Sequence, residues 1–180
     1  MFRSTPASAP GSFFILPWCS PLNLSFRRLT DIDPADITAH MSDPRVAEHM
    51  PLLIGGWSGE KTEAFVAAKE ATWARDGLGH WGFVVEGEYV GWGGFQKEGD
   101  EWDFGLVLRP DRFGLGLPIA RACLGRAAHD PRIPFVTFLL PPSRTRVAAL
   151  RRLGAVEIDP ITYDGEAFRK FRLDTPAPSA

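Results

Sequence analysis

Between Gly105 and Ala155 the chain carries nine arginines (positions 109, 112, 121, 126, 132, 144, 146, 151 and 152), no lysine and two aspartates. That is a formal +7 inside a chain whose net charge is −2. Arginine forks match phosphate oxygens and draw anions in from solution, so such a segment suggests a polyanionic ligand, with a solvated helix face as the plainer account of some of these residues. Within it, Leu108 to Pro118 reads as a strand end, a turn marked by Gly114 and Gly116, and a helix start. Glycines let backbone approach a ligand, and first-turn amides with the positive end of the helix dipole behind them make an anion seat. A strand-to-helix turn with no ligand is an equally good reading of this motif alone. No Gly-Lys-Ser/Thr follows for a Walker loop, and no third glycine completes a dinucleotide fingerprint.

The elements that must hold this turn can be read from the punctuation. Leu22 to Leu29 alternates as a strand, and Asp33-Pro34 and Asp43-Pro44 each start a short helix, over 34–41 and 44–49. Met50 to Trp57 is a loop, after which Ser58 caps a helix to about Arg75, closed by Gly77 and Gly79. Trp81 to Glu86, Tyr89 to Gln96 and Trp102 to Leu108 form an antiparallel meander. A helix over 117–129 follows the turn, with Cys123 on its buried stripe, and Phe135 to Leu140 reads as a strand buried on both faces. Ser143 then caps a helix through Leu153, and Ala155 to Ile158 with Ala167 to Leu173 close as a hairpin.

With 180 residues and 44% hydrophobic content, the chain suffices for one domain. Two cysteines, Cys19 and Cys123, exclude a disulfide framework and show no metal-ligand spacing; a reducing, cytoplasmic setting is the default. Prolines 6, 10, 17 and 21 break the longest uncharged stretch, so no membrane span is expected. Residues 1–21 read as a disordered or artefactual tail, 22–174 as the domain, and 175–180 as a loose C-terminus. A pI near 6 argues against nucleic acid as the partner.

The order of elements resembles the GNAT N-acetyltransferases, and within them the ribosomal-protein N-alpha-acetyltransferase (RimJ/RimL-like) branch, over roughly residues 22–174. Leu29-Thr-Asp-Ile-Asp with Ser42-Asp-Pro-Arg-Val46 is similar to the branch's opening. Tyr89-Val-Gly-Trp-Gly-Gly-Phe95 looks like its third strand, Asp103-Phe-Gly-Leu-Val-Leu-Arg-Pro110 like the strand before its cofactor loop, and Arg151-Arg-Leu-Gly154 like the end of its last core helix. The resemblance implies an α/β fold of the α+β kind. Its mixed, mostly antiparallel sheet would splay between strands 4 and 5, with helices on both faces and acetyl-CoA in the cleft. Leu106, Val107 and Leu108 would then pair with the pantetheine arm. The pyrophosphate would rest on Arg112, Phe113, Gly114, Leu115, Gly116, Leu117 and Pro118, and Ser143 would stand near the arm. No metal is implied, and homodimers are common in the branch.

Three departures from the branch bear on chemistry. Pro118 replaces a small residue and removes an amide, Ser143 stands where asparagine is frequent, and Leu150 occupies the position that sometimes carries a tyrosine acid, leaving Tyr163 as a remote substitute. Asp103 stands where the branch often has glutamate, which makes it the candidate general base through a water, with His49 and His80 as secondary candidates. The Val107 amide is the candidate oxyanion donor. The acceptor, a primary amine on a small molecule or a peptide N-terminus, is expected against Leu53, Trp57, Trp81 and Trp92, although tryptophans are more often core. A non-catalytic acyl-CoA sensor and an interaction domain without ligand are the alternatives.

Overall fold

The computed structural model describes residues 22–50, 55–145 and 147–175. The two terminal tails, Cys19, Leu53 and Arg146 lie outside the described residues. Seven strands form one sheet in the order β1-β2-β3-β4-β5-β7-β6: β1 Leu24–Arg27, β2 His80–Val85, β3 Glu88–Glu98, β4 Glu101–Leu108, β5 Phe135–Leu140, β6 Val156–Tyr163 and β7 Glu166–Asp174. All pairs are antiparallel except β4 with β5. The helices are α1 Pro34–Met41, α2 Pro44–Ala47, α3 Gly59–Asp76, α4 Gly116–Ala127 and α5 Ala148–Leu153. The expected α+β architecture, splayed between its fourth and fifth strands with helices on both faces, is the observed one.

Local chemistry explains most boundaries. Asp33 and Asp43 accept hydrogen bonds from the amides of Ala35 (2.8 Å) and Arg45 (2.9 Å), with proline in the first turn of each helix. Ser58 caps α3 through the Lys61 amide, and Gly77 ends it at φ 68°, a left-handed conformation that favours glycine. The two-residue turn Glu86–Gly87, with φ 51° and 84°, joins β2 to β3 in the geometry that matches strand twist.

Two apolar layers flank the sheet. Trp81, Phe83, Phe95, Phe104 and Phe138 pack with Ile119 and Cys123 of α4 on one face. Leu29, Ile37, Met41, Tyr89 and Trp92 pack with α1 and α2 on the other. Burial pushes the Cys123 thiol up to about 12, which keeps it protonated and unreactive. In β3, Gly91 is required by the sheet: it sits at φ 151°, and a Cβ there would come within 2.4 Å of the Val107 carbonyl oxygen on β4.

Some expected boundaries shift. The first strand is shorter than Leu22 to Leu29, because the chain turns into a 3-10 segment at Leu29–Asp31. The second short helix stops at Ala47. Ser143 does not cap the last helix: it lies in an exposed turn closed by the Arg144 amide on the Pro141 carbonyl (2.9 Å), and α5 begins only at Ala148. The closing strands are longer than their apolar cores suggested, because hairpin pairing extends through polar residues. Among the described residues no helix is long and apolar enough to cross a membrane.

Candidate active site

The splay is abrupt. One register pair, Asp103 with Thr137, joins β4 to β5, and beyond it the strands diverge. The direction of each β4 peptide follows from the ladder with β3. Arg109 donates its amide to Val90 on β3 at 2.9 Å, and the β3–β4 register runs without a shift, so Val107 and Gly105 also turn their peptide groups toward β3. Leu106 and Leu108 have the opposite parity, and their amides face the cleft. The expectation for Val107 is therefore corrected: its amide is committed to the sheet opposite Trp92, and the amides open to a cleft ligand belong to its neighbours.

The cleft encloses about 150 Å³ between β4 and the chain after β5, lined by Leu106, Val107, Leu108, Leu139, Phe113 and Arg144 among others. Arg144 is half-buried and carries no ion pair among the described residues; burial alone lowers its pKa. Most other arginines of the basic segment are occupied. Arg109 pairs with Asp111 (3.2 Å), Arg112 with Glu88, Arg132 with Asp130 (2.6 Å) and Arg151 with Glu157 (3.9 Å), while Arg126 lies 4.2 Å over the Phe26 ring. The +7 therefore overstates what a ligand would meet.

The glycine turn also differs in kind from its expectation. Pro110–Leu115 is a 3-10 helix running directly into α4, and neither Gly114 nor Gly116 has a positive φ. The glycines contribute bare surface instead: a Cβ at Gly114 would meet nothing within 4 Å, and one at Gly116 only Leu108 at 3.8 Å. No side chain caps α4, which leaves its positive end to a ligand. Against this, the Gly116 amide already donates to the Phe113 carbonyl, and Pro118 has none. Of the turn, Phe113 lines the cleft whereas Gly114, Leu115, Gly116, Leu117 and Pro118 do not; the cleft-facing amides and Arg144 suit a phosphorylated ligand with an extended amide-bearing arm.

A second cavity of about 240 Å³ adjoins the cleft, sharing His49, Met50, Gly105, Leu139 and Pro141 with it. Asp103 faces this cavity with Lys69, His80, Trp92, Glu98 and Tyr163. Burial pushes the Asp103 carboxyl up to about 7; the Thr137 hydroxyl, 3.4 Å away, pulls it down, Glu98 pushes it up, and Lys170 and Lys69 pull it down. His80 is buried edge-on against Trp92, its Nδ1 without a partner among the described residues, and burial holds its pKa well below the usual imidazole value. His49 also lines the cavity and the cleft, with a buried Nδ1 that has no partner among the described residues. A carboxylate titrating near neutrality beside a cleft can accept a proton from an amine.

Of the tryptophans expected to meet the acceptor, Trp92 lines this cavity. Trp81 does not: it stands on the opposite face of the sheet, packed on Phe26, Trp73 and Phe95. Trp57 packs edge-on to Phe65 and donates to the Thr62 hydroxyl at 2.8 Å, away from the cavity lining. Leu53 lies outside the described residues. Lys69, Gln96 and Glu98 were not foreseen. Among the described residues no cluster of His, Cys, Asp and Glu could hold a metal ion.

Residues 23–156 match the family model described as an acetyltransferase (GNAT) domain. No curated protein matches the chain in sequence. Among solved structures, an acetyltransferase from Agrobacterium tumefaciens str. C58 is 21% identical with TM-score 0.66, over 92% of this chain and 99% of that one. The spermidine N-acetyltransferase from Vibrio cholerae, in complex with CoA and spermine, is 11% identical with TM-score 0.69, over 85% and 96%. A ribosomal-protein alpha-N-acetyltransferase in complex with coenzyme A is 15% identical with TM-score 0.66, over 84% and 94%.

Proposed function

Because this chain belongs to the GNAT acetyltransferase family, we propose that it is an acetyl-CoA-dependent N-acetyltransferase that transfers the acetyl group to a primary amine by direct attack in a ternary complex. The observation that carries this reading is the position of Asp103: a carboxyl raised to about 7, at the point where β4 and β5 part, facing a cavity continuous with the cleft. Acetyl-CoA supplies an activated thioester, so the protein must bind, orient and handle one proton. In this reading the Leu106 and Leu108 amides hold the arm of the donor and meet the negative charge that develops on the thioester oxygen. Arg144, with the bare surface at Gly114 and Gly116, receives the phosphates. Asp103, directly or through a water, takes the proton from the acceptor ammonium. Tyr163 lines the acceptor cavity, where its hydroxyl donates to Glu98 Oε1 at 3.5 Å, and it does not line the donor cleft.

The ribosomal-protein branch is supported by the sequence motifs around Asp103 and Arg151 and by one structural likeness at 15% identity. The acceptor can thus be a peptide N-terminus or a small-molecule amine. Thiol release from acetyl-CoA across a panel of amines and N-terminal peptides tests the proposal, with calorimetric titration of acetyl-CoA beside it. Binding without thiol release would assign a sensor, and no binding at millimolar ligand would overturn the reading altogether.

A further inference from the structure

The acceptor cavity contains one cation that the transfer chemistry does not use. Lys69 reaches from α3 to the cavity wall, where its ammonium donates to Gln96 Oε1 at 2.8 Å and lies 5.6 Å from the Trp92 ring and 5.8 Å from the Phe65 ring. It forms no ion pair among the described residues. Glu98, the acid next along β3 and on the same cavity wall, accepts at Oε1 from Gln96 Nε2 and the Tyr163 hydroxyl and makes no ion pair with Lys69. An ammonium has three donors, and here one is used. Burial lowers the Lys69 pKa to about 8, against the charges of Glu98 and Asp103, which raise it.

The spacing to the proposed base is short. Gln96 and Asp103 are directly opposed in the β3–β4 register, which puts their side chains about 5 Å apart on one face. The Lys69 ammonium, bonded to Gln96, therefore stands about one side chain from the Asp103 carboxyl. We infer that the acceptor is a compact amino acid, its carboxylate received by Lys69 and its amine turned toward Asp103; this rests on the transfer reading above. The cavity, about 240 Å³, is below the roughly 300 Å³ at which drug-sized sites begin. An acceptor without a carboxylate would leave the remaining Lys69 donors unfilled.

Thiol release from acetyl-CoA, measured on the full chain with leucine against leucinamide and β-alanine against β-alaninamide, tests this, with spermidine and a tripeptide amide as further acceptors. The acids should exceed their carboxamides in kcat/KM by about tenfold or more, as expected for a charge-assisted hydrogen bond. Lys69→Met should collapse that ratio toward one, and Lys69→Arg should keep most of it. Calorimetry on the CoA-loaded protein should show the same loss of preference in Lys69→Met, with acetyl-CoA affinity reporting that the cleft is intact. Turnover of the carboxamides, spermidine or the tripeptide amide at least as efficient as that of the acids would overturn the inference and leave the transfer reading standing. No thiol release with any amine would overturn both.

Discussion

The Thr137 hydroxyl lies 3.4 Å from the Asp103 carboxyl, across the one register pair that joins β4 to β5. The residue proposed as base is thus tied to the strand on the far side of the cleft, and its proton affinity depends on how the two halves of the sheet meet.

Asp103 should govern the pH profile. As a base it works deprotonated, so kcat/KM should rise with pH through an inflection near 7, where burial has pushed its carboxyl. Thr137→Val removes the hydrogen bond that favours the carboxylate and should move that inflection upward. Asp103→Asn should abolish the inflection and reduce kcat by about 10²-fold or more, with acetyl-CoA affinity nearly unchanged. Its effect on stability has the opposite sign. A carboxyl raised above its unfolded value makes the folded state weakest at high pH, with stability falling between about pH 4 and pH 7. At pH 8, therefore, Asp103→Asn should unfold at higher temperature than the parent, by the equivalent of about 1–3 kcal/mol. A pH–rate profile and a thermal scan check both signs.

Gly116 separates binding from folding. It adopts helical angles, and a Cβ would meet only Leu108 at 3.8 Å, so Gly116→Ala should be neutral or stabilising by about 0.4–1 kcal/mol. Gly116→Glu should keep the fold while weakening acetyl-CoA by about tenfold or more, because it sets a negative charge at an uncapped helix start. Unchanged affinity in calorimetry would remove this loop from the donor site.

Proline substitution distinguishes the two peptide directions on β4. Val107→Pro removes an amide of the β3 ladder and should destabilise by about 1–3 kcal/mol. Leu106→Pro leaves that ladder intact and removes a cleft-facing donor, so it should lower acetyl-CoA affinity and kcat more than it lowers the unfolding temperature. Equal melting losses for the two variants would contradict the assigned parity.

Trp81 and Trp92 should behave differently although both are almost fully buried. Trp81→Ala empties the face packed against Phe26, Trp73 and Phe95 and should cost about 3–5 kcal/mol. The milder Trp81→Phe should leave the acceptor KM in place, whereas Trp92→Phe, on the cavity wall, should change it. Steady-state kinetics beside thermal scans checks the contrast.

Much of this architecture is legible along the chain because its boundaries are local. Asp-Pro pairs start α1 and α2, Gly77 stops α3, and the continuous apolar run Phe135–Leu140 is β5 to the residue. The site is less legible, because its determinants are relations between distant segments. The parity of Val107 depends on which β3 carbonyl Arg109 meets, here that of Val90, and Lys69, Gln96 and Tyr163 come together from α3, β3 and β6. Charge counting within the segment misled for a similar reason: it sets nine arginines against two aspartates but does not register that Glu88 and Glu157, from outside it, pair with Arg112 and Arg151. Strict alternation of side chains along β2 is the signal that would have set Trp81 on the face away from His80.

With so little backbone hydrogen bonding between β4 and β5, their separation is set by contacts such as Phe104 against Phe138, ring centres 5.6 Å apart. Aromatic contacts tolerate sliding that a ladder of directional hydrogen bonds would not. The seven strands therefore act as two leaves bound along one short spine. In the proposed reading, room for an acyl donor longer than acetyl would come from ring packing at the spine rather than from breaking strand pairs.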